Sequence, residues 1–315
     1  MKKTLAKELL QFIEKSPSTY HVVANVRRRL LASGYTELAE NARWSLVHGG
    51  KYFLTRGGTS CISFRIPEEA ARGFMLTASH SDSPSFKLKE NPERAVGHYL
   101  QLSTEKYGGM LMAPWFDRPL SIAGRVLVDT ENGIETRLVN INRDLLIIPN
   151  LAIHMNRAAN DGVKLLANID TLPLLGSINH RDCFLKLVAE AADCRPERIL
   201  GHDLSLYVRQ PGVIFGAQEE YLASPKLDDL ACVFTTLEGF LAAKSAESIP
   251  VLCVFDNEEV GSQSRQGAAS TMLRDTLRRV TQSLGMTDGH LARMLDESFL
   301  LSCDNAHAQH PNHPE

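Results

Sequence analysis

The chain has 315 residues, 43% of them hydrophobic and 23% charged, with a formal net charge of −3. That is the makeup of an ordinary globular protein of one large or two ordinary domains, without the basic footprint that nucleic acid or an anionic membrane requires. Six cysteines, at 61, 183, 194, 232, 253 and 303, form no CxxC pair, so neither a disulfide framework nor a thiolate zinc site is indicated and the reduced thiols of a cytoplasmic protein are expected.

The first residues, MKKTLAKELLQFIEKS, open on two lysines as a secretory signal does, but Lys7, Glu8, Glu14 and Lys15 interrupt the apolar positions. Leu5, Leu9, Phe12 and Ile13 instead fall on one helical face. No segment approaches the ~20 apolar residues of a membrane span. The pattern predicts helices over 3–15 and 19–33, broken at Ser16-Pro17 and closed by Gly34. KYFLTRGGTSCISFRI reads as a hairpin turning at Gly57-Gly58. GFMLTAS (73–79) is a short apolar strand that delivers His80. From about 90 to 212 the chain becomes a series of strand-like runs, SIAGRVLVD and GIETRLVNI among them, with one helix-like segment near 180–193. This predicts a β-rich domain over 90–212 inserted between the halves, 1–89 and 213–315, of an α/β domain. In the second half a strand (VIFGA), a helix (229–243) and a strand (249–255) follow one another. That is the unit of a parallel sheet, whose sites collect where strands end. The expected fold is α/β, a mixed sheet flanked by helices.

Four segments carry candidate ligands. In ASHSDSP, His80 and Asp82 lie two apart and share one face of an extended chain. His80 suits a metal ligand and Asp82 the carboxylate that fixes its tautomer, although HxD alone is a weak signal. In SPKLDDLACVF, Asp228 and Asp229 open a helix, where capping explains an aspartate as well as metal binding does. In VLCVFDNEEVGS, Glu258 and Glu259 stand side by side after a buried-looking strand. Adjacent side chains project differently, so one can bind a metal while the other faces the attacking water. A solvated loop is the competing explanation, weakened by the apolar residues on both sides. In LLSCDNAHAQHPNHPE, Asp304 follows an apolar run, and His307, His310 and His313 are as readily exposed tail residues as ligands.

Together, HSDSP, PWFDRPLSIAGRV, LAIHMNR, SPKLDDL, FDNEEVGSQSRQGA and CDNAHAQHPN resemble, in order along the whole chain, the aspartyl aminopeptidase family of two-zinc exopeptidases. The resemblance implies that Asp228 bridges two zinc ions and that His80 and Asp304 complete one site. It implies that Glu259 belongs to the other site, that Glu258 is the general base, and that Asp82 holds the imidazole of His80. It puts His154, from the AIHxxR segment, in a dimerisation domain, reaching a neighbouring subunit's substrate site. It further implies cleavage of N-terminal Asp or Glu from a peptide substrate, a dodecamer assembled from dimers, and a cis Asp228–Asp229 peptide bond. Manganese or cobalt are plausible substitutes for zinc.

Members of that family continue well past HPNHPE, with a further histidine ligand and much of the substrate pocket in the extra stretch. For these 315 residues taken alone the expectations are therefore less than two tightly held zinc ions, weak or absent activity, and exposed apolar surface near 290–315. A truncated, non-catalytic homologue that oligomerises or modulates a full-length partner, and a two-metal amidohydrolase of other specificity, are the alternatives.

Overall fold

The run VLCVF lies in the strand Ser248–Phe255, which is buried from Ile249 onward. A continuous apolar strand requires cover on both faces. On one face, Ile249, Val251, Cys253 and Phe255 pack with Leu277, Val280, Leu291 and Met294 of the helices Met272–Ser283 and Asp288–Asp296. Leu252 and Val254 alternate onto the other face. There the helix Leu227–Ala242 lies against the sheet and buries Leu230, Val233, Phe234, Leu237 and Phe240, a stripe at spacings of three and four. The N-terminal helix Lys2–Glu14 meets this helix, with the rings of Phe12 and Phe234 5.7 Å apart. Each apolar side chain so buried contributes about 1.5–3 kcal/mol relative to exposure.

These elements come from a computed structural model, which describes residues 2–244 and 247–315. The chain divides into two units. The first comprises the chain up to Lys15, Val22–Ser83 and Lys226–Glu315. Its six-stranded mixed sheet runs in the order Thr36–Glu37, Lys51–Arg56, Ser60–Arg65, Ser248–Phe255, Gly73–His80 and Phe299–Ser302. The hairpin turns at Gly57 and Gly58, whose φ values of 64° and 75° are left-handed. The last three strands are parallel, with Phe255 opposite His80 and Ser302 opposite Ala78. Three chain segments therefore leave the sheet at one edge, where open α/β sheets bind their ligands. The outermost strand is fully exposed, with Phe299, Leu300 and Leu301 at 60%, 46% and 49%. The apolar surface anticipated near 290–315 is located there.

The second unit comprises Ser16–His21 and Pro84–Pro225 and contains the whole of the expected insert. Its six-stranded antiparallel sheet runs Gly133–Asn140, Leu120–Thr130, Ile199–Val208, Ser85–Val96, Tyr99–Tyr107, Leu174–Ser177. The helix Phe184–Ala191 adds Phe184 and Val188 to a core with Ile122, Val126, Leu204 and Leu206. Segment 16–21 joins this unit through Tyr20, whose hydroxyl donates to Asp203 Oδ2 at 2.5 Å. Lys87 Nζ lies 2.7 Å from Asp203 Oδ1. Burial alone would raise the Asp203 carboxyl, but Lys87 and Tyr20 hold it below its usual range.

One expectation is corrected. VIFGA is not a strand of the parallel sheet: Val213–Phe215 pairs only with Tyr221–Ala223 in a two-stranded ribbon within the second unit. Four of the ribbon's six residues are exposed, and a strand without cover on both faces has no place in a parallel sheet. The parallel partner of Ser248–Phe255 is Gly73–His80 instead. The helices Met272–Ser283 and Asp288–Asp296 had no sequence counterpart, because many polar residues obscure the spacing of Met272, Leu277, Val280, Leu291 and Met294. All six cysteines are free thiols, and no helix among the described residues is long and apolar enough to cross a membrane.

Candidate metal centre

Three strand ends and one helix start converge. The strand Gly73–His80 ends on His80, 4% exposed, and the next turn carries Asp82, 3% exposed. The imidazole is held from one side: Nδ1 lies 3.0 Å from the Asp82 carbonyl oxygen and 3.3 Å from Asp82 Oδ1. A proton on Nδ1 satisfies both acceptors and leaves the Nε2 lone pair free to bind a cation. Nε2 is buried and has no hydrogen-bond partner. Its neighbours are carboxylate oxygens: Asp228 Oδ1 at 3.3 Å, Glu258 Oε2 and Asp304 Oδ1 at 3.8 Å, and Asp229 Oδ2 at 4.0 Å.

The aspartate pair does not cap its helix. The N-cap position is Lys226, without a side-chain cap bond, and Asp228 and Asp229 have non-helical dihedral angles. The peptide bond between them is cis, as the family resemblance implies. Asp228 is exposed on its carboxylate side and fixed through its carbonyl, which accepts from Ser83 Oγ at 2.9 Å. Asp229 is wholly buried, and its Oδ2 accepts the backbone N–H of His80 at 3.0 Å. Asp304 follows the edge strand. The next residue, Asn305, donates its backbone N–H to Asp304 Oδ1 at 2.7 Å and its side-chain amide to the Leu227 carbonyl at 2.5 Å. Asn305 therefore fixes Asp304 against the start of the Asp228 segment.

The glutamates occupy a 3₁₀ turn, Glu258–Val260, that follows Ser248–Phe255. Asp82 holds this turn too, its Oδ1 accepting the N–H of Glu258 and its Oδ2 that of Glu259, both at 3.2 Å. One buried carboxylate thus orients both the imidazole and the glutamate pair.

Ligand atoms of His80, Asp228, Asp229 and Asp304 all lie within 4.8 Å of one another. Of the expected ligands, His80, Asp228 and Asp304 are brought together and Glu259 lies outside that group, while Glu258, the expected base, stands beside them. Asp229, which the sequence presents with Asp228 as a cap or a ligand but without a metal role, stands in the group as well; its signal was the doubling of the acid before an otherwise apolar helix. His154 sits in the second unit, exposed, in a turn at 153–155.

Carboxylates crowded around one imidazole repel one another unless a cation is present. Burial, followed by repulsion from Asp304, raises the Asp228 carboxyl. Burial raises Asp229 to about 6 and Glu259 to about 7. For His80 burial acts downward but is outweighed by the bond to Asp82 and the surrounding acids, and the imidazole is raised to about 9. Oxygen donors around a buried, unpartnered imidazole nitrogen fit zinc, and manganese or cobalt as substitutes.

A pH dependence follows for the metal-free chain. With the folded pKa of His80 raised from 6.5 to about 9, its stabilising effect is complete below 6.5 and lost as pH rises through 9. Asp229 and Glu259 act in the same direction, since between their unfolded and folded values the folded chain binds more protons than the unfolded one. The melting temperature of chelator-treated protein is therefore expected to fall between pH about 5 and about 9, and zinc should reverse the trend. A rising melting temperature over that range would contradict the arrangement.

A model of the aminopeptidase I zinc metalloprotease family (M18) matches residues 12–315. A curated protein of Clostridium novyi (strain NT), described as a probable M18 family aminopeptidase 2, is 43% identical over 319 residues, covering 98% of this chain and 74% of that protein. Among solved structures the chain is similar to one titled as the cryo-EM structure of the Ape4 and Nbr1 complex, with a TM-score of 0.95 and 34% identity. The match takes in 99% of this chain and spans 65% of that one. It is also similar to a structure of the S. cerevesiae mApe1 dodecamer, with a TM-score of 0.81, 27% identity, and coverage of 98% and 73%.

Proposed function

The chain belongs to the M18 family of zinc metallopeptidases, and on that premise we propose that it is an aminopeptidase acting on peptides with an acidic N-terminal residue. The observation that carries the reading is the buried, unpartnered Nε2 of His80 facing the carboxylates of Asp228, Asp229 and Asp304. The acidic preference is supported by the resemblance of the HSDSP, LDD and NEEVGS segments to aspartyl aminopeptidases.

His80, Asp228 and Asp304 would hold one zinc ion, and Asp228 with Glu259 would contact a second. When bound, zinc supplies Lewis-acid polarisation of the scissile carbonyl and acidifies water. Glu258 accepts a proton from the attacking water and returns it to the leaving amine. Its side chain is 48% exposed, which leaves it open to substrate. Asp82 keeps His80 in one tautomer and the glutamate turn in register. Asp229 fixes the end of the His80 strand by accepting the His80 backbone N–H at its Oδ2.

Zinc titration of the 315-residue polypeptide by calorimetry is expected to give one tight equivalent, held by His80, Asp228 and Asp304. No tight binding would overturn the metallopeptidase reading, and two tight equivalents would overturn the ligand assignment. Peptides beginning with Asp, Leu and Lys test specificity, with Asp expected to be cleaved fastest.

A homo-oligomeric state is supported by exposed apolar residues of the second unit, Leu151, Ile153, Met155 and Ile169, on either side of His154. On this reading His154 would serve a neighbouring subunit's substrate site. The free thiols are in keeping with a cytoplasmic location.

A further inference from the structure

We propose that Ser264 is a positioning residue for the Glu258-Glu259 turn, acting through Asn257. The inference rests on the metal-binding reading above and extends it to a residue that touches neither metal nor substrate.

Asn257 immediately precedes the glutamates and adopts a left-handed conformation, φ 62° and ψ 27°. Such a conformation is sparsely populated by residues other than glycine, although asparagine enters it more readily than most. Ser262 shares it, with φ 60°. Any rotation about the Asn257 backbone swings both following carboxylates, so the accuracy of the site depends on what fixes this residue.

Asp256 Oδ1 accepts the Asn257 N–H at 2.8 Å, and the other fixing bonds come from the loop beyond the turn. Ser264 Oγ donates to Asn257 Oδ1 at 2.6 Å and accepts the N–H of Gln266 at 3.3 Å. The Gln266 carbonyl is in turn tied to the sheet, accepting from Ser60 Oγ at 2.7 Å and from the N–H of Asp256 at 3.3 Å. The N–H of Ser262 closes back onto the Asn257 carbonyl at 2.8 Å. At Gly267 a Cβ would collide with the Ser262 carbonyl, so the loop is packed on itself and has little freedom to find another path. Two routes carry this anchoring to Asn257, one through Asp256 to its backbone N–H and one through Ser264 to its side chain, and Ser264 is the link that fixes the side chain. Asp82 holds the turn by its N–H groups, and Ser264 holds the residue that aims it.

The test is a cobalt(II) titration with chelator competition on the intact chain, in a double-mutant cycle of Ser264→Ala and Asn257→Ala. A lost hydrogen bond of ordinary strength corresponds to about a fivefold change in an equilibrium constant. Ser264→Ala is expected to bind the second, weaker cobalt equivalent, the one Asp228 and Glu259 would contact, about fivefold more weakly, with the first equivalent unchanged and the metal-free melting temperature lowered only slightly. The double variant should lose no more than Asn257→Ala alone, and Ser264→Thr should restore the parent affinity. In peptide hydrolysis kcat should fall by a similar factor with KM unchanged. Parental affinity for the second cobalt equivalent in Ser264→Ala, or strictly additive losses in the cycle, would overturn the proposal. If Ser264→Ala does not fold, Ser264→Cys, a weaker donor of similar size, takes its place in the cycle. A parent chain that binds no cobalt would refute the metallopeptidase reading, whereas a parent and variant that bind equally refute only the role of Ser264.

Discussion

Glu258→Gln is expected to lower kcat by about 10²–10⁴ while leaving metal content and KM unchanged. The amide matches the carboxylate in shape but has no basic oxygen to take a proton from water. The backbone geometry should survive the change, because the turn is held by the Asp82 carboxylate through the N–H groups of residues 258 and 259 and not through the Glu258 side chain. The measurement is release of N-terminal aspartate by zinc-loaded parent and variant under single-turnover conditions, with zinc determined on the same samples. Equal rates would remove Glu258 from the role of base. A fall in rate matched by a fall in zinc content would make it a ligand instead.

The framework around this residue was largely legible in the letters, for a reason that can be traced. VLCVF is apolar without alternation and therefore buried on both faces, and a strand of that kind has to end at a site or a turn. GFMLTAS carries the same signal, and the two strands prove to be parallel neighbours with Phe255 opposite His80. Residues whose signal is local, such as the Gly57-Gly58 turn, were equally plain. What could not be read were dependences across the chain. Nothing in HSDSP says that Asp82 will accept the N–H groups of residues 176 and 177 positions later. Nothing in SPKLDDL says that the second aspartate turns inward to the His80 backbone. The ribbon at Val213–Phe215 was misplaced for a related reason. A three-residue apolar run has the same appearance whether it joins a large sheet or pairs with a nearby segment, and only the exposure of its residues decides.

Asp228→Asn is expected to move metal affinity and metal-free stability in opposite directions. Asp228 Oδ1 is the carboxylate oxygen nearest His80 Nε2, and an amide oxygen is a neutral, poorer donor to a divalent cation. Loss of a charged ligand should weaken zinc binding by about 100-fold or more, since the binding free energy depends on every deprotonated donor. In the absence of metal the same charge is a liability. Burial and then Asp304 raise the Asp228 carboxyl above its ordinary value, and these outweigh the attraction of His80. A carboxyl raised in this way destabilises the folded chain once it is ionised, so at neutral pH the neutral asparagine should raise the melting temperature of chelator-treated protein. On acidification below the range in which Asp228 ionises, parent and variant should converge, because both then carry a neutral side chain. Zinc affinity is read by chelator competition and stability by thermal unfolding at two pH values. A structural carboxylate, kept for the hydrogen bonds it accepts, would behave in the reverse manner: its replacement would leave zinc uptake intact and lower the metal-free melting temperature. The opposition between the two readouts separates a group retained for a cation from one retained for the fold.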